Sequence, residues 1–300
     1  MIRARDWGFM SAPRLGTYAD LARDTAVSKL AAAPGWYTAE LPDAWSFHTP
    51  SGGALMSVAM RAMQEELSEP ALRPLSATTV FCSPVPAGGL EVRVEVLRHG
   101  GAAAQLRAQL SSTSVPGPGL DVSATFVRAR SGMADMIDAR PPPVPPPAEC
   151  PSFDELPPPP DPRPRFFRNV ESRLALGDVW WEKGWKPGAA RTARWFRYAV
   201  PQRLPDGRLD PLAIPPLADT MPPAVVQKLG PDHPPFFAPS LDLTVHFLDD
   251  TSSEWLLVSA HSRRARAGYA SADAEIWGED GTLVAFATQT MLLRRPPARE

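Results

Sequence analysis

Hydrophobic and polar residues follow one another along the chain in a pattern that predicts a helix and then several strands. A helix with one buried stripe is predicted by apolar residues at helical spacing, namely Leu55, Val58, Ala59, Ala62 and Met63. The stretch Leu90–Val96 alternates apolar with charged side chains, which predicts a strand with one buried face. Segments 102–111 and 121–129 continue this alternation after a turn at Gly100-Gly101.

A second succession of the same kind occupies residues 210–295. Its helix is predicted over Ala213–Lys228, although Pro222 and Pro223 confine the regular part to the residues that follow them. Strands of the second half are predicted over 170–176, 194–200, 237–248, 254–264, 268–277 and 282–294. A helix followed by an antiparallel meander, present twice, is an α+β design whose two sheets can join edge to edge.

The two successions align with each other residue by residue. Pairing Phe81 with Phe247 superimposes them and sets Gly53 opposite Asp219. A fold duplicated within one chain makes one internal interface, as a homodimer does. Because the acid occurs in the second copy and a glycine stands in the first, we expect one active site and not two.

Composition narrows the class of protein further. Hydrophobic residues make up 44% and charged residues 21% of the 300, which is typical of a soluble globular chain, and the net charge of −2 argues against nucleic acid as the main partner. The two cysteines, Cys82 and Cys150, form no disulfide framework and favour a reducing compartment. The segment MIRARDWGFM lacks the apolar region of a signal peptide, and no apolar run is long enough to span a membrane. We therefore expect a cytoplasmic protein.

Proline clusters between the two halves. Many of the 37 prolines lie in 141–164, a segment that favours extended polyproline II and cannot join a central sheet. We interpret it as a semi-rigid spacer. The predicted organisation is an N-terminal half over 1–137, a proline-rich linker over 138–165 and a C-terminal half over 166–300.

Three polar residues of the second half are candidates for chemistry. Gln289 is a lone amide on the apolar face of its predicted strand, and an unsatisfied buried polar group costs about 1–3 kcal/mol. Asp219 lies at the start of the predicted helix, where an aspartate could equally serve as an N-cap. Ser240 shares a polar strand face with Asp242 by parity, unless a bulge near Pro239 turns it inward.

Metal and cofactor chemistry receive no support from motifs. The five histidines are scattered without ligand spacing, and neither a glycine-rich phosphate loop nor a G-x-S-x-G nucleophile motif occurs. We expect neither a metal nor a cofactor.

The C-terminal sequence resembles the second half of type II acyl-CoA thioesterases. The matching elements are Trp255-Leu256-Leu257, the turn Ala267-Gly268 and the strand motif D-G-x-L-V-A-x-x-x-Q-x-x-x-R, which runs from Asp280 through Gln289 to Arg294. In the first half, Gly52-Gly53 opens the helix as in that family. The resemblance implies a double hotdog, in which each half is a long helix wrapped by an antiparallel sheet and both sheets form one.

The same resemblance implies the chemistry. Asp219, Ser240 and Gln289 correspond to the family's hydrolytic residues, with serine where threonine is common. Asp219 is expected to activate a water molecule that Ser240 and Gln289 hold, so that an acyl thioester carried by coenzyme A or an acyl carrier protein is hydrolysed. Substrate contacts are expected at Gly52 and Gly53, where the thioester can approach the backbone closely, and in an apolar tunnel beside Leu55 and Met56.

Two other functions stay open at this point. A protein that binds acyl thioesters without hydrolysing them would keep the pocket and lose the reaction. A hotdog enoyl hydratase or dehydratase would need a histidine and an acid in one pocket, for which His48 is the candidate. The resemblance also suggests a role in fatty acid metabolism, and a homo-oligomer is possible because hotdog sheets often pair further.

Overall fold

One antiparallel sheet of twelve strands forms the framework of the computed structural model, which describes residues 18–160 and 162–295. The strands of the N-terminal half are β1 (Val27–Lys29), β2 (Trp36–Leu41), β3 (Arg73–Phe81), β4 (Gly88–His99), β5 (Ala103–Ser112) and β6 (Leu120–Val127). Those of the C-terminal half are β7 (Val170–Leu176), β8 (Arg191–Tyr198), β9 (Ser240–Phe247), β10 (Leu256–Arg266), β11 (Tyr269–Gly278) and β12 (Leu283–Leu292).

The order of the strands repeats about a central two-fold relation. The sheet runs β1-β2-β4-β5-β6-β3 and then β9-β12-β11-β10-β8-β7, so the halves meet where β3 pairs with β9. At this junction Thr78 lies opposite Thr244, and their hydroxyls are 3.0 Å apart although 166 residues separate them in the chain. The same separation relates Phe81 to Phe247. The predicted double hotdog with one continuous sheet is confirmed.

The central helix of the first half is buried more completely than its sequence pattern suggests. α2 (Gly52–Leu67) follows the short α1 (Leu21–Asp24), and nearly every residue from Gly53 to Met63 is buried. Strands β4, β5 and β6 wrap one side of α2, and the first helix of the other half packs against it as well. A single apolar stripe is therefore too narrow a description, because α2 has protein on two sides.

The helix predicted over Ala213–Lys228 is wrong as one element, because the chain forms two short helices there. These are α3 (Ile214–Ala218) and α4 (Pro223–Leu229). Proline is tolerated in the first turn of a helix, where its missing N–H needs no partner, so Pro215 and Pro216 start α3 and a further proline pair starts α4. Asp219 follows the last residue of α3, so it is not a helix N-cap.

Part of the proline-rich segment packs against the sheet. Cys150 belongs to a small apolar cluster with Trp195, Trp255, Leu257 and Trp277, and the indole N–H of Trp195 donates to the Pro145 carbonyl over 2.9 Å. The segment therefore covers the face of the C-terminal sheet that points away from the main core. The boundaries of the linker at 138 and 165 remain a prediction.

The tryptophan-rich loop between β7 and β8 is fixed to α4. Gln227 of α4 accepts from the Asp178 N–H over 2.7 Å and donates to the Asp178 carbonyl over 2.9 Å. Beneath this loop the buried guanidinium of Arg194 stacks on Trp180 and Phe153, with its centre 4.4 and 5.0 Å from the two ring centroids. Burial lowers the pKa of Arg194 to about 9. Stacking on aromatic rings holds this cation in place.

A largely buried ion pair connects the two halves of the chain. Arg61 of α2 donates to Asp210 over 2.6 Å and to the Thr25 hydroxyl over 2.7 Å. The other oxygen of Asp210 accepts from the Leu212 N–H over 3.0 Å, at the start of the turn that leads into α3. Asp210 thus holds the segment that delivers Asp219.

We predict that Asp210→Ala lowers the free energy of unfolding by about 2 kcal/mol, because it removes the charged hydrogen-bond partner of the part-buried Arg61 guanidinium. Chemical denaturation of both proteins measures this difference. The matched control is Asp232→Ala, which removes the exposed pair with Lys183 and should change stability by less than about 1 kcal/mol. Equal effects of the two substitutions would contradict the structural role of Asp210.

Candidate active site

Asp219 lies at the junction of the two halves, at the carboxyl end of α3. Its side chain is 7% exposed, and four hydrogen-bond donors reach its two carboxylate oxygens. An ionised carboxylate can remain in such a place only when donors replace its lost hydration. The arrangement of these donors defines the candidate site.

Two of the donors come from the N-terminal half. The Ser51 hydroxyl donates to Oδ2 of Asp219 over 3.0 Å, and the Gly53 N–H donates to the same oxygen over 3.2 Å. Gly53 lies in the first turn of α2, where backbone N–H groups have no partner within the helix. Alignment of the halves had set Gly53 opposite Asp219, and the two residues are in direct contact.

The other two donors come from neighbouring strands of the C-terminal half. Ser240 of β9 donates to Oδ1 of Asp219 over 3.0 Å. The amide nitrogen of Gln289, on β12, lies 2.6 Å from that oxygen and 2.6 Å from the Ser240 hydroxyl. All three predicted catalytic residues therefore meet at one point.

A bulge in β9 accounts for the orientation of Ser240. Asp242 pairs with Thr290 and Ser240 pairs with Met291, so the intervening Leu241 has no partner on β12. The extra residue breaks the alternation of the strand and turns Ser240 towards Asp219. The predicted bulge near Pro239 is confirmed.

Two opposing influences shift the pKa of Asp219. Burial is the largest and raises the pKa of the carboxyl above its ordinary value. Hydrogen bonds from Gly53, Ser240, Ser51 and Gln289 stabilise the ionised form and oppose this rise. A carboxyl whose pKa is raised but which still ionises is a better base than an exposed aspartate.

The two glycines at the start of α2 serve the packing of the protein. A Cβ on Gly52 would lie 2.5 Å from the ring of Phe81, and one on Gly53 would lie 2.1 Å from the Pro215 carbonyl oxygen. Gly52 therefore packs against β3 of its own half, and Gly53 allows the close approach of the C-terminal half at Pro215. Contact of these two glycines with a thioester remains a prediction.

The two predicted apolar contacts lie in the core. Leu55 is 3% exposed and Met56 is fully buried, and both belong to the main hydrophobic cluster around α2. Their contact with an acyl chain remains a prediction. Two surface clefts, one beside β1 and β2 and one beside Trp36, lie away from Asp219.

Histidine does not join this site. His48 is exposed, and its ring packs on Phe237 at a centroid distance of 4.7 Å. Every hydrogen bond found to the Asp219 carboxylate, within residues 18–160 and 162–295, comes from an uncharged donor. The pairing of a histidine with an acid that a hydratase would need is not formed by these residues.

Ser51 is the site residue that the sequence analysis missed. The chain places it 168 residues from Asp219, and a serine directly before a helix is ordinarily read as an N-cap. The signal that could have found it is the alignment of Gly53 with Asp219, since Ser51 lies two positions before that glycine.

Comparison with known proteins assigns the chain to a family. Profiles of the acyl-CoA thioesterase N-terminal and C-terminal domains match residues 41–128 and 147–293. Together these matches cover most of the chain, so the protein belongs to the type II acyl-CoA thioesterase family. A search of curated protein sequences finds no match.

Solved structures show the same fold. A hotdog-fold protein of unknown function from Alicyclobacillus acidocaldarius has 22% identity and a TM-score of 0.75, over 92% of this chain and 98% of that one. The acyl-CoA thioesterase II TesB2 of Mycobacterium marinum has 21% identity and a TM-score of 0.69, over 92% and 99%. Within the described residues, no helix has the length and apolar character of a membrane span.

The burial of Asp219 predicts that its replacement by asparagine stabilises the protein at neutral pH. Because the pKa is raised in the folded state, ionisation of Asp219 opposes folding at neutral pH, and this penalty disappears as pH falls below the unfolded-state pKa. We predict that Asp219→Asn has a higher melting temperature than the wild type at pH 7, with a difference that shrinks on acidification. Thermal unfolding from pH 7 to pH 4 measures it. A variant that is less stable at pH 7 would show that the hydrogen bonds outweigh burial.

Proposed function

We propose that the protein hydrolyses acyl thioesters to a free acid and a thiol, with Asp219 as general base. The observation that carries this proposal is the meeting of Asp219, Ser240 and Gln289 within hydrogen-bonding distance. These residues come from α3, β9 and β12, so their meeting is a product of the fold.

The reaction requires no nucleophilic side chain. A thioester has an electrophilic carbonyl carbon and a good leaving group, so a positioned and deprotonated water suffices to attack it. Oδ1 of Asp219 takes the proton of this water, and the tetrahedral intermediate then expels the thiolate. The proton held by Asp219 passes to the thiolate, which yields the free thiol and restores the base. The buried Oε1 of Gln289 has no hydrogen-bond partner in the described structure and supplies an acceptor that can orient the same water.

Stabilisation of the oxyanion is assigned to the start of α2. The N–H groups of Gly53 and Asp219 are engaged in other contacts, because they donate to the Asp219 carboxylate and to the Pro215 carbonyl. The amino end of the 16-residue α2 carries the positive end of the helix dipole, and the Gly53 contact fixes that end beside Asp219.

The substrate is an acyl thioester of coenzyme A or of an acyl carrier protein. Family membership supports coenzyme A, while the length and branching of the acyl group follow from no contact described above. A place in fatty acid metabolism, a cytoplasmic location and a homo-oligomeric state remain predictions.

We predict that Asp219→Asn lowers kcat/KM for acyl-CoA by about 10²–10⁴-fold, because the base is lost and the shape is kept. Release of free thiol from acyl-CoA thioesters of graded chain length is the assay. The matched control is Asp242→Asn, since Asp242 lies on the same strand as Ser240 and, within the described residues, its side chain accepts from the Thr290 N–H alone.

The outcomes separate the alternatives. Hydrolysis by the wild type that Asp219→Asn abolishes and Asp242→Asn retains supports the proposal. Tight binding of acyl-CoA without thiol release would identify a binding protein. Turnover of an unsaturated acyl-CoA without thiol release would identify a hydratase.

We predict that Gln289→Ala lowers kcat by about 10²-fold with a smaller effect on KM, because the amide orients Asp219, Ser240 and the attacking water. Steady-state kinetics and thermal unfolding of the same preparations measure both effects. The control is Gln227→Ala, a buried glutamine whose amide bonds to the loop at Asp178, and this substitution should lower the melting temperature while leaving kcat unchanged. If Gln289→Ala behaves like Gln227→Ala, the amide of Gln289 is structural.

A further inference from the structure

Ser51 occupies a position where a serine ordinarily caps a helix, yet its hydroxyl contacts Asp219 and not the helix. It immediately precedes α2 and its backbone is extended, but its side chain makes no hydrogen bond to the N–H groups of the first turn. The side chain is fully buried, and its hydroxyl donates instead across the junction to Asp219. Forgoing a cap loses about 1 kcal/mol of helix stability, so a different contact must account for this orientation.

Each carboxylate oxygen of Asp219 accepts hydrogen bonds from a different half of the protein. Oδ2 accepts from Ser51 and the Gly53 N–H, both on the N-terminal half. Oδ1 accepts from Ser240 and Gln289, the residues that reach the attacking water in the proposed reaction. Two donors on one oxygen fix the rotation of the carboxylate and keep the other oxygen on the reacting side.

We propose that Ser51 is a positioning residue, which anchors Oδ2 of Asp219 from the N-terminal half and so presents Oδ1 as the oxygen that accepts the proton. This inference deepens the proposed function and rests on it for its catalytic part. The anchoring itself rests on the 3.0 Å contact, on the complete burial of Ser51 and on the 7% exposure of Asp219. Since Gly53 can donate only through its backbone, Ser51 is the only one of the two Oδ2 donors that a substitution can remove directly.

Anchoring by Ser51 has a consequence for the pH dependence of the enzyme. The hydrogen bond from Ser51 favours the ionised carboxylate and opposes the rise in pKa that burial causes. The groups that reach Asp219 from α2, β9 and β12 are all uncharged, and no charged neighbour contributes to the shift. Removal of the hydroxyl must therefore raise the pKa of Asp219.

We predict that Ser51→Ala moves the acid limb of the kcat/KM profile to higher pH by about 1 unit, which is the loss of one hydrogen bond to a charged group. The value of kcat at the plateau should also fall, with KM unchanged, because Ser51 touches the carboxylate and not the substrate. Ser51→Cys keeps the volume with a weaker donor and should move the limb in the same direction by less. The control is Ser262→Ala, a buried serine whose hydroxyl donates to the Ser271 carbonyl and which should leave the profile unchanged.

A second measurement does not depend on turnover. Infrared difference spectra against Asp219→Asn follow the protonation of Asp219 directly in the wild type, Ser51→Ala and Ser51→Cys. An upward shift in either variant, in a protein that hydrolyses no thioester, would retain the anchoring role and reject the proposed function. A wild type that hydrolyses thioesters, with Ser51 variants whose acid limb and infrared titration both match it, would overturn the inference and leave the function standing. If Ser51→Ala does not fold, Ser51→Cys decides the question by the same two readouts.

Discussion

The structure depends on a buried carboxylate that both halves of the chain must satisfy. Asp219 is delivered by α3 of the C-terminal half, but half of its hydrogen bonds come from Ser51 and Gly53 of the N-terminal half. A buried ionised group without these donors would be strongly unfavourable, so the site exists only when the halves are docked. The edge-to-edge sheet at β3 and β9 and the Arg61–Asp210 pair secure that docking.

The two halves share one fold but contribute different residues to the site. Gln289 on β12 pairs with Leu243 of β9, whereas the matching position of the first half is Ala124, paired with Ala77. The first half has glycine and alanine, Gly53 and Ala124, where the second has the acid and the amide, and it contributes the start of α2. The glycine that faces Asp219 is required because α3 passes so close that a side chain at Gly53 would meet the Pro215 carbonyl. The glycine in the first half and the acid that faces it from the second half therefore belong to a single packing arrangement.

The sequence predicted the strands and the repeat well, because both leave local signals. The alternation in Leu90–Val96 predicted β4, and the common offset of the halves relates Thr78 to Thr244, whose hydroxyls meet at the junction. Strand β3, which forms that junction with β9, was not predicted. Sequence patterns did not predict the features that depend on packing between distant segments of the chain. The break between α3 and α4 follows from two proline pairs that each start a helix, and the contact of Ser51 with Asp219 joins residues 168 positions apart. The glycines were ambiguous for the same reason, since the neighbours that forbid a Cβ are Phe81 and Pro215.

The most direct test of the proposed mechanism is a crystal structure with a ketone analogue of acyl-CoA, in which a methylene replaces the thioester sulfur and prevents hydrolysis. The account predicts that a water hydrogen-bonded to Oδ1 of Asp219 lies about 3–3.5 Å from the carbonyl carbon. It also predicts that the carbonyl oxygen points towards the amino end of α2. A carbonyl carbon beside another group, with Asp219 still enclosed by its four donors and no water between them, would contradict the assignment of Asp219 as the base.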